Sequence, residues 1–266
     1  MEQNNTKKKN PYFKVLGILI VPLLLITFYS FSEKIISFGD FILEKTDINK
    51  YFLADFGEAN NGMNLTDSIA EEEQIVIVND TASQRILFFG DSMVEGLSKR
   101  MRQYAAANGH ELLNVIWYSS STKVWSEYND TLTHFINQFD PTYIMICLGG
   151  NELFVRDLDK REGYIQTIVK IIEKKPYVWI GPPNWKADTG INDLIEKHVE
   201  TPRFFPSKNL KYERGKDGAH PTYASAAKWM DSIAVWMAKE PYYRIRMDFP
   251  ENDTREGKTT ILQPLK

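Results

Sequence analysis

The chain has 266 residues, of which 43% are hydrophobic and 25% are charged, and its formal net charge is -3 at pH 7. This composition supplies enough apolar material for one good-sized core, and the length fits one domain with appendages. The weakly acidic charge gives no reason to expect nucleic acid as a partner. The single cysteine, Cys147, excludes an intramolecular disulfide, and its place in the apolar run YIMICLGG predicts a buried structural thiol.

An uncharged apolar segment, residues 15–32, follows a basic N-terminus, residues 1–14. A helix of its 18 residues would be roughly 27 Å long, close to the hydrocarbon thickness of a bilayer. Four lysines precede it, so the positive-inside rule places the N-terminus in the cytoplasm and the rest of the chain across the membrane. We expect an uncleaved single-pass anchor. A cleaved signal peptide is the alternative, although the segment is long for one and no small-x-small cleavage site follows.

The segment 33–84 is predicted to be a juxtamembrane spacer. It begins with enough apolar residues for a short amphipathic helix and then becomes polar, acidic and turn-rich. A regular folded domain is predicted over residues 85–240. Residues 241–266 are expected to form a C-terminal tail.

Short apolar runs alternate with stretches of helical period from residue 85 onward, and they predict strands and helices respectively. The predicted strands are Arg85 to Gly90, Leu112 to Tyr118, Tyr143 to Leu148 and Tyr177 to Gly181, with a weak fifth at Arg203 to Phe205. The predicted helices are 93–108, 124–138, 163–174, 189–199 and 222–238. Strands that alternate with helices predict an α/β fold in which helices cover both faces of a parallel sheet.

Polar groups follow the carboxyl ends of the predicted strands, where ligands collect in open parallel sheets. The first strand ends in Gly90-Asp91-Ser92, the second in YSSST, the third in LGGNE with Asn151, and the fourth in GPPNW. Asp217 and His220 follow in DGAHP, just before a helix that Pro221 can begin. The remaining histidines are expected on the surface and are too scattered for a metal site; they are His110, His134 and His198.

Two interpretations of Ser92 are open at this point. Ser92-x-x-Glu95 ahead of apolar residues at helical spacing is the signature of a helix capping box. A nucleophilic serine instead needs an imidazole base and an acceptor that orients this base, and Asp217 and His220 can supply such a pair. The Gly-x-Ser-x-Gly elbow of the α/β-hydrolases is absent, since Val94 stands where its second glycine would be.

The blocks GDSM, YSSST, GGNE and DGAH, in this order, resemble the SGNH or GDSL hydrolase superfamily over about residues 85–238. The resemblance implies a three-layer α/β/α sandwich with a flavodoxin-like parallel sheet. It implies that Ser92 is the nucleophile, His220 the general base and Asp217 the group that orients His220. It also implies an oxyanion hole made by the Ser92 N–H, a backbone N–H of the second block and the side chain of Asn151.

The second block departs from the superfamily pattern, because YSSSTKVW offers serines where a glycine is expected. Ser120 is the predicted position, since a serine retains its backbone N–H. Serine-for-glycine loops of this kind are expected in the membrane-anchored, extracytoplasmic acyltransferase-like branch of the superfamily. Trp185, just beyond GPP, is the candidate for substrate contact because aromatic faces can stack on sugars. Trp117 lies in an apolar strand and is expected in the core.

The resemblance implies acyl-ester chemistry through an acyl-serine intermediate, with no cofactor and no metal. An anchored domain outside the cytoplasm, periplasmic or extracellular, favours O-acyltransfer of an acetyl-like group to a cell-surface glycan, with an integral-membrane protein as the possible acyl donor. An esterase that gives the acyl group to water and a non-catalytic assembly subunit remain alternatives. The intact Ser, Asp, His and Asn set argues against the last of these. The sequence does not specify the acyl group, the glycan or the oligomeric state.

Overall fold

The computed structural model describes residues 37–38, 41–42, 76–200 and 202–265. The chain divides into two compact units, residues 1–71 and 72–266. In the first unit, β1 (Ser37–Phe38) pairs antiparallel with β2 (Phe41–Ile42). In the parts of the chain that the structure describes, no helix has both the length and the apolar character needed to cross a membrane. The predicted anchor lies outside the described residues, as does most of the predicted spacer.

The second unit alternates strands and helices, as the hydrophobic pattern predicts. In chain order its strands and helices are β3 (Val78–Asp80), β4 (Arg85–Gly90), α1 (Met93–Asn108), β5 (Glu111–Trp117), α2 (Thr122–Glu127), α3 (Asn129–Phe139), β6 (Tyr143–Cys147), α4 (Leu158–Ile172), β7 (Tyr177–Ile180), α5 (Ile191–Val199), β8 (Phe204–Phe205), α6 (Tyr223–Met237), β9 (Tyr243–Ile245) and β10 (Lys258–Leu262). A 3-10 turn, Gly150–Glu152, follows β6.

Six of these strands form one parallel sheet in the order β10-β5-β4-β6-β7-β8. Without β10 this is the 2-1-3-4-5 strand order of flavodoxin-like folds. The predicted α/β fold with a parallel sheet is therefore confirmed. The chain order reverses at β4, because β5 lies on one side of it and β6 on the other, so the crevice where ligands bind in such sheets lies at the carboxyl end of β4.

Both faces of the sheet are buried, because successive residues of a strand point to opposite faces. On β4, Ile86 and Phe88 pack in one apolar cluster with α1 and α6, whereas Leu87 and Phe89 pack in a second cluster with α2, α3, α4 and α5. All four side chains are fully buried. The unit is thus a three-layer sandwich. Cys147 is buried at the end of β6, as its apolar surroundings predicted.

The structure differs from the predicted elements at three places. The helix predicted over 124–138 is two helices, α2 and α3, with a break at Tyr128. The expected tail contains β10, an edge strand whose residues are mostly half-buried or exposed and therefore give no apolar run. The expected spacer contains β3, which pairs with β9. The divisions predicted before residue 85 and after residue 240 consequently do not match the limits of the folded unit.

The surface position expected for His110 is wrong. His110 is buried, its Nδ1 accepts a hydrogen bond from the Gln84 N–H at 3.0 Å, and its Nε2 contacts the Arg246 carbonyl at 2.7 Å. Burial lowers its pKa. The imidazole therefore connects the start of β4 to the chain that follows β9. His134 is exposed as expected, and His198 is half-buried.

Candidate active site

The turn between β4 and α1 brings Ser92 to the carboxyl edge of the sheet. Gly90 is required there, because a Cβ at this position would lie 1.9 Å from the carbonyl oxygen of Cys147 on β6. Asp91 is buried and accepts hydrogen bonds from the N–H groups of Met93 at 2.9 Å and Gly150 at 3.2 Å. Burial raises the pKa of Asp91 to about 7. Asp91 thus connects the turn that carries Ser92 to the loop after β6.

Ser92, His220 and Asp217 form a continuous hydrogen-bonded series. His220 Nε2 lies 2.8 Å from Ser92 Oγ, and His220 Nδ1 lies 2.7 Å from Asp217 Oδ2. An ionised carboxylate can only accept hydrogen bonds, so its contact with Nδ1 keeps a proton on that nitrogen. Nε2 is then left to accept a hydrogen bond from the Ser92 hydroxyl.

The loop before α6 holds Asp217 and His220 in a tight turn. Asp217 Oδ1 accepts hydrogen bonds from the N–H groups of Ala219 at 2.9 Å and His220 at 3.0 Å. Gly218, which follows Asp217 in the turn, has a left-handed φ of 69°. The contact with the His220 side chain and these two N–H bonds lower the pKa of Asp217 to about 2. Asp217 is therefore ionised at neutral pH. The helix begins at Tyr223 with Thr222 as its N-cap, one residue after the start of the predicted range 222–238.

The capping box that the sequence allowed for Ser92 is not formed. Ser92 has helical backbone angles and its side chain makes no capping hydrogen bond to α1. The Glu95 carboxylate does not reach back to the Ser92 N–H but accepts a hydrogen bond from the Tyr118 hydroxyl at 2.9 Å. The contact that the Ser92 hydroxyl makes is the one with His220.

The structure contradicts the prediction that the N–H of Ser120 faces the oxyanion. Ser120 is buried, its N–H donates to the Trp117 carbonyl at 3.2 Å, and its hydroxyl accepts from Trp125 Nε1 at 2.9 Å. Ser119 has a left-handed φ of 57°, the conformation that favours glycine, and it lines the cavity beside Ser92. Within the described residues no backbone hydrogen bond uses the Ser119 N–H. Ser119 therefore replaces Ser120 as the candidate donor of the second block.

Asn151 joins the second and third blocks. It lies in the 3-10 turn after β6, and its Nδ2 donates a hydrogen bond to the Ser120 carbonyl at 2.8 Å. A primary amide has two N–H groups, so this bond leaves one for a substrate. The candidate oxyanion donors are the N–H groups of Ser92 and Ser119 and the remaining N–H of Asn151.

Glu152 is a positioning residue that sequence reasoning missed. Its buried carboxylate accepts hydrogen bonds from the N–H of Thr122 at 2.8 Å and from the hydroxyl of Thr122 at 2.7 Å. Arg161 Nη1 on α4 lies 3.2 Å from the same carboxylate. Glu152 stands in the GGNE block, but a partner 30 residues away gives no local sequence signal.

The tryptophans have different surroundings. Trp117 and Trp125 are buried in contact with each other, which confirms the core position predicted for Trp117. Trp185 is half-buried, its indole N–H donates to the Gly150 carbonyl at 3.2 Å, and its ring meets the exposed Phe154 edge-on. Trp185 thus lies beside the turn that carries Asn151, and it does not line the cavity at Ser92.

No family model matches the chain, and no curated protein matches it. Similar solved structures include the psychrotrophic esterase EstA from Pseudoalteromonas sp., in a form inhibited by monoethylphosphonate (19% identity, TM-score 0.42, covering 57% of this chain and 98% of that chain). A second is TesA, with 14% identity and a TM-score of 0.46, covering 58% of this chain and 98% of that chain. A third is the lipase Lip_vut3 from a goat rumen metagenome, with 15% identity and a TM-score of 0.41, covering 60% of this chain and 99% of that chain. At these identities and TM-scores the likeness carries no argument, and both the fold and the chemistry rest on this chain's own residues.

The four sequence blocks meet at one edge of a flavodoxin-like sheet, with Ser92, His220 and Asp217 in hydrogen-bond contact. The chain resembles the SGNH/GDSL hydrolases. In an SGNH-type site, a serine, an imidazole with a fixed tautomer and converging N–H groups can attack an ester carbonyl and stabilise the resulting oxyanion.

A cavity of about 760 Å³ opens beside Ser92. One side of it is formed by α1 and the second-block loop, and another by the start of α6. Gln263 and Pro264, which follow β10, also line the cavity. Their contribution was not predicted, because residues 241–266 were expected to be a tail.

Proposed function

We propose that this chain is a serine enzyme of the SGNH/GDSL type that acts on acyl esters through an acyl-serine intermediate. The observation that supports it is the series Asp217, His220 and Ser92, joined by contacts of 2.7 and 2.8 Å at the mouth of a cavity. A serine of purely structural role needs neither an oriented imidazole nor a cavity. The non-catalytic alternative is disfavoured for the same reason.

In the first half of the reaction, Ser92 Oγ attacks the carbonyl carbon of the ester, and its proton passes to His220 Nε2. Asp217 stabilises the imidazolium that forms. The carbonyl oxygen becomes an oxyanion that the N–H groups of Ser92, Ser119 and Asn151 stabilise. The bond from the carbonyl carbon to the alcohol oxygen then breaks, and His220 returns the proton to the leaving alkoxide. The acyl group remains on Ser92.

In the second half, an acceptor hydroxyl replaces the departed alcohol. His220 Nε2 takes the acceptor's proton as the acceptor oxygen attacks the acyl carbon. A second oxyanion forms and collapses, the bond from the acyl carbon to Ser92 Oγ breaks, and His220 returns the proton to the serine. With water as acceptor the enzyme is an esterase. With a sugar hydroxyl it is an O-acyltransferase. Neither route requires a cofactor.

Transfer of an acetyl-like group to an extracytoplasmic glycan is the finer proposal. The apolar segment 15–32 and the lysines before it support a single-pass anchor with the catalytic unit outside the cytoplasm. An enzyme held at the membrane can receive acyl groups from an integral-membrane donor protein and pass them to the cell surface. Trp185, beside the Asn151 turn and outside the cavity at Ser92, is proposed to contact a more distant part of the glycan.

Decay of the acyl-enzyme separates the two routes. The full chain in detergent is acylated with p-nitrophenyl acetate, and the mass of the protein is followed with and without an oligosaccharide acceptor. Transfer predicts slow loss of the acyl group in water and faster loss when the acceptor is added. Equal, fast loss in both conditions supports the esterase. Absence of any acyl-enzyme and of any ester turnover contradicts both.

The topology has its own test. A reporter that is active only outside the cytoplasm, fused after Lys266, is expected to be active, and the chain is expected to fractionate with membranes unless detergent is added. Activity of a cytoplasmic reporter at the same position contradicts the proposed orientation.

A further inference from the structure

Glu95 has no role in the chemistry described above, although the sequence singled it out. The capping box that would have occupied its carboxylate is not formed. Glu95 instead lines the cavity beside Ser92, half-buried, with one carboxylate oxygen accepting a hydrogen bond from the Tyr118 hydroxyl at 2.9 Å. A carboxylate offers about four lone-pair sites, so this bond leaves acceptor capacity at the cavity wall.

The cavity lies on the side of Ser92 where the leaving alcohol must be. His220 delivers its proton to the alcohol oxygen, so the alcohol departs past the imidazole. His220, Pro221 and Thr222 line the cavity together with Ser92 and Ser119, whereas Asn151 does not. The cavity therefore extends from the nucleophile past the imidazole, along the path by which the alcohol departs.

The cavity is large enough for a sugar-sized group, and its walls are partly apolar and partly hydrogen-bonding. Its volume, about 760 Å³, is in the range of sites for whole small molecules and is far larger than an acetyl group requires. Hydrogen-bonding side chains are spaced around it: Glu95, Tyr118, Thr222, Tyr223 and Gln263. Such a lining, with apolar surface between the polar groups, suits a sugar, because its hydroxyls can pair with the polar groups while its CH faces pack on the apolar surface.

The charges at the cavity favour an uncharged occupant. Among the described residues, no lysine or arginine lines the cavity, whereas the carboxylates of Glu95 and Asp217 do. Lys99 Nζ lies 3.2 Å from the centre of the ring of Tyr223, a lining residue, and Lys216 stands between the lining residues Gly215 and Asp217. With two carboxylates in the lining and these cations beside it, the cavity carries no large excess of either charge, which suits an uncharged occupant.

We propose that this cavity is the subsite for the alcohol part of the ester, and for the acceptor in transfer, and that it takes an uncharged polyhydroxyl group of sugar size. Glu95 accepts a hydrogen bond from a hydroxyl of that group, and Tyr118 fixes the orientation of the carboxylate. The inference rests on the proposed function, since it assigns a substrate class to the same site.

The experiment compares two acetyl esters that differ only in the alcohol: p-nitrophenyl acetate and methyl 6-O-acetyl-glucopyranoside. The ratio of their kcat/KM values is measured for the full chain and for Glu95→Ala, Glu95→Gln and Glu127→Gln. Glu127 is an exposed glutamate at the end of α2 and serves as the matched control. Thermal unfolding reports whether each variant is folded.

The ratio of kcat/KM for the sugar ester to kcat/KM for the aryl ester is expected to fall by about tenfold in Glu95→Ala, because a hydrogen bond to a charged group is lost. Most of this fall should come from a higher KM for the sugar ester. Glu95→Gln, which keeps an acceptor for Tyr118, should show a smaller fall, and it carries the test if Glu95→Ala does not fold. Glu127→Gln should leave the ratio within about twofold. An unchanged ratio in a folded Glu95 variant, or wild-type turnover of the aryl ester alone, overturns the subsite. Turnover of neither ester, with no acyl group on Ser92, overturns the proposed function instead.

Discussion

The Glu152 carboxylate accepts two hydrogen bonds from Thr122, one from its N–H at 2.8 Å and one from its hydroxyl at 2.7 Å. Through this pair, the turn that carries Asn151 is attached to the loop that carries Ser119. Two of the three candidate oxyanion donors therefore keep their relative positions through a buried carboxylate that touches neither substrate nor nucleophile.

Replacing Glu152 with alanine should destabilise the fold by about 3–5 kcal/mol, because it removes the buried one of the two carboxylates that pair with Arg161 and leaves the buried N–H and hydroxyl of Thr122 without an acceptor. Urea unfolding measures this. Asp157→Ala is the matched control, since Asp157 pairs with the same arginine at 3.4 Å but is 45% exposed, and it should cost at most about 0.5 kcal/mol. Equal losses of unfolding free energy in Glu152→Ala and Asp157→Ala would contradict the positioning role of Glu152.

Substitutions at Ser119 and Ser120 should affect different properties, because Ser119 is a candidate oxyanion donor and Ser120 is a buried structural residue. Ser119→Gly keeps the N–H and suits the left-handed φ of 57°, so kcat should stay within about threefold of the wild type. Ser120→Ala leaves the buried Trp125 N–H without its acceptor and should cost about 1–3 kcal/mol of stability while the oxyanion donors remain. Asn151→Ala, in contrast, should lower kcat by about 10²- to 10³-fold. Loss of kcat in Ser119→Gly comparable to that in Asn151→Ala would rule out this assignment of the loop.

The central strands, and the residues that meet at Ser92, could be predicted from the sequence for a physical reason. β4 and β6 are buried on both faces and must be continuous apolar runs, so polar residues mark their ends clearly. β10 lies at an edge with exposed side chains, and KTTIL carries no such signal. The choice between Ser119 and Ser120 depends on one backbone angle, which three successive serines do not reveal.

Asp91 should make the stability of the fold depend on pH. Its pKa is about 7 in the folded chain and 3.8 in its ordinary state, because burial disfavours the carboxylate. Between these values the unfolded chain releases a proton that the folded chain retains, so the free energy of unfolding falls as pH rises from about 4 to 7. Asp91→Asn removes this contribution.

Urea unfolding of the wild type and Asp91→Asn over pH 4 to 8 checks the sign. The stability of the wild type relative to the variant should fall with rising pH by at most about 4 kcal/mol, following the pKa difference. Contributions from groups that do not interact with Asp91, including the lowered pKa of His110, cancel in this difference. A difference that is constant or that rises with pH would contradict the assignment.

Deletion of residues 258–266 should destabilise the folded unit, because it removes β10 from its five pairing positions along β5. It also removes the Gln263 carbonyl that accepts a hydrogen bond from the Trp117 indole at 2.9 Å. The melting temperature should fall by at least about 5 °C, since each 1 kcal/mol corresponds to roughly 2–4 °C in a unit of this size. Deletion of residues 265–266 alone is the control and should change it little. Equal melting temperatures of the full chain and of the variant without residues 258–266 would instead support a tail that lies outside the folded unit.

The role of Ser92 is tested most directly by intact-mass analysis after treatment with ethyl p-nitrophenyl ethylphosphonate, an uncharged activated phosphonate ester that reacts with nucleophilic serines. The wild type should release p-nitrophenol and gain one O-ethyl ethylphosphonyl group, located on Ser92 by peptide mapping. Ser92→Asp and His220→Ala should gain none, while their melting temperatures stay close to that of the wild type. If Ser92 were only a helix cap, Ser92→Asp would retain ester turnover, because aspartate caps a helix as well as serine does. An adduct elsewhere, no adduct on the folded wild type, or full turnover by Ser92→Asp would contradict the nucleophile.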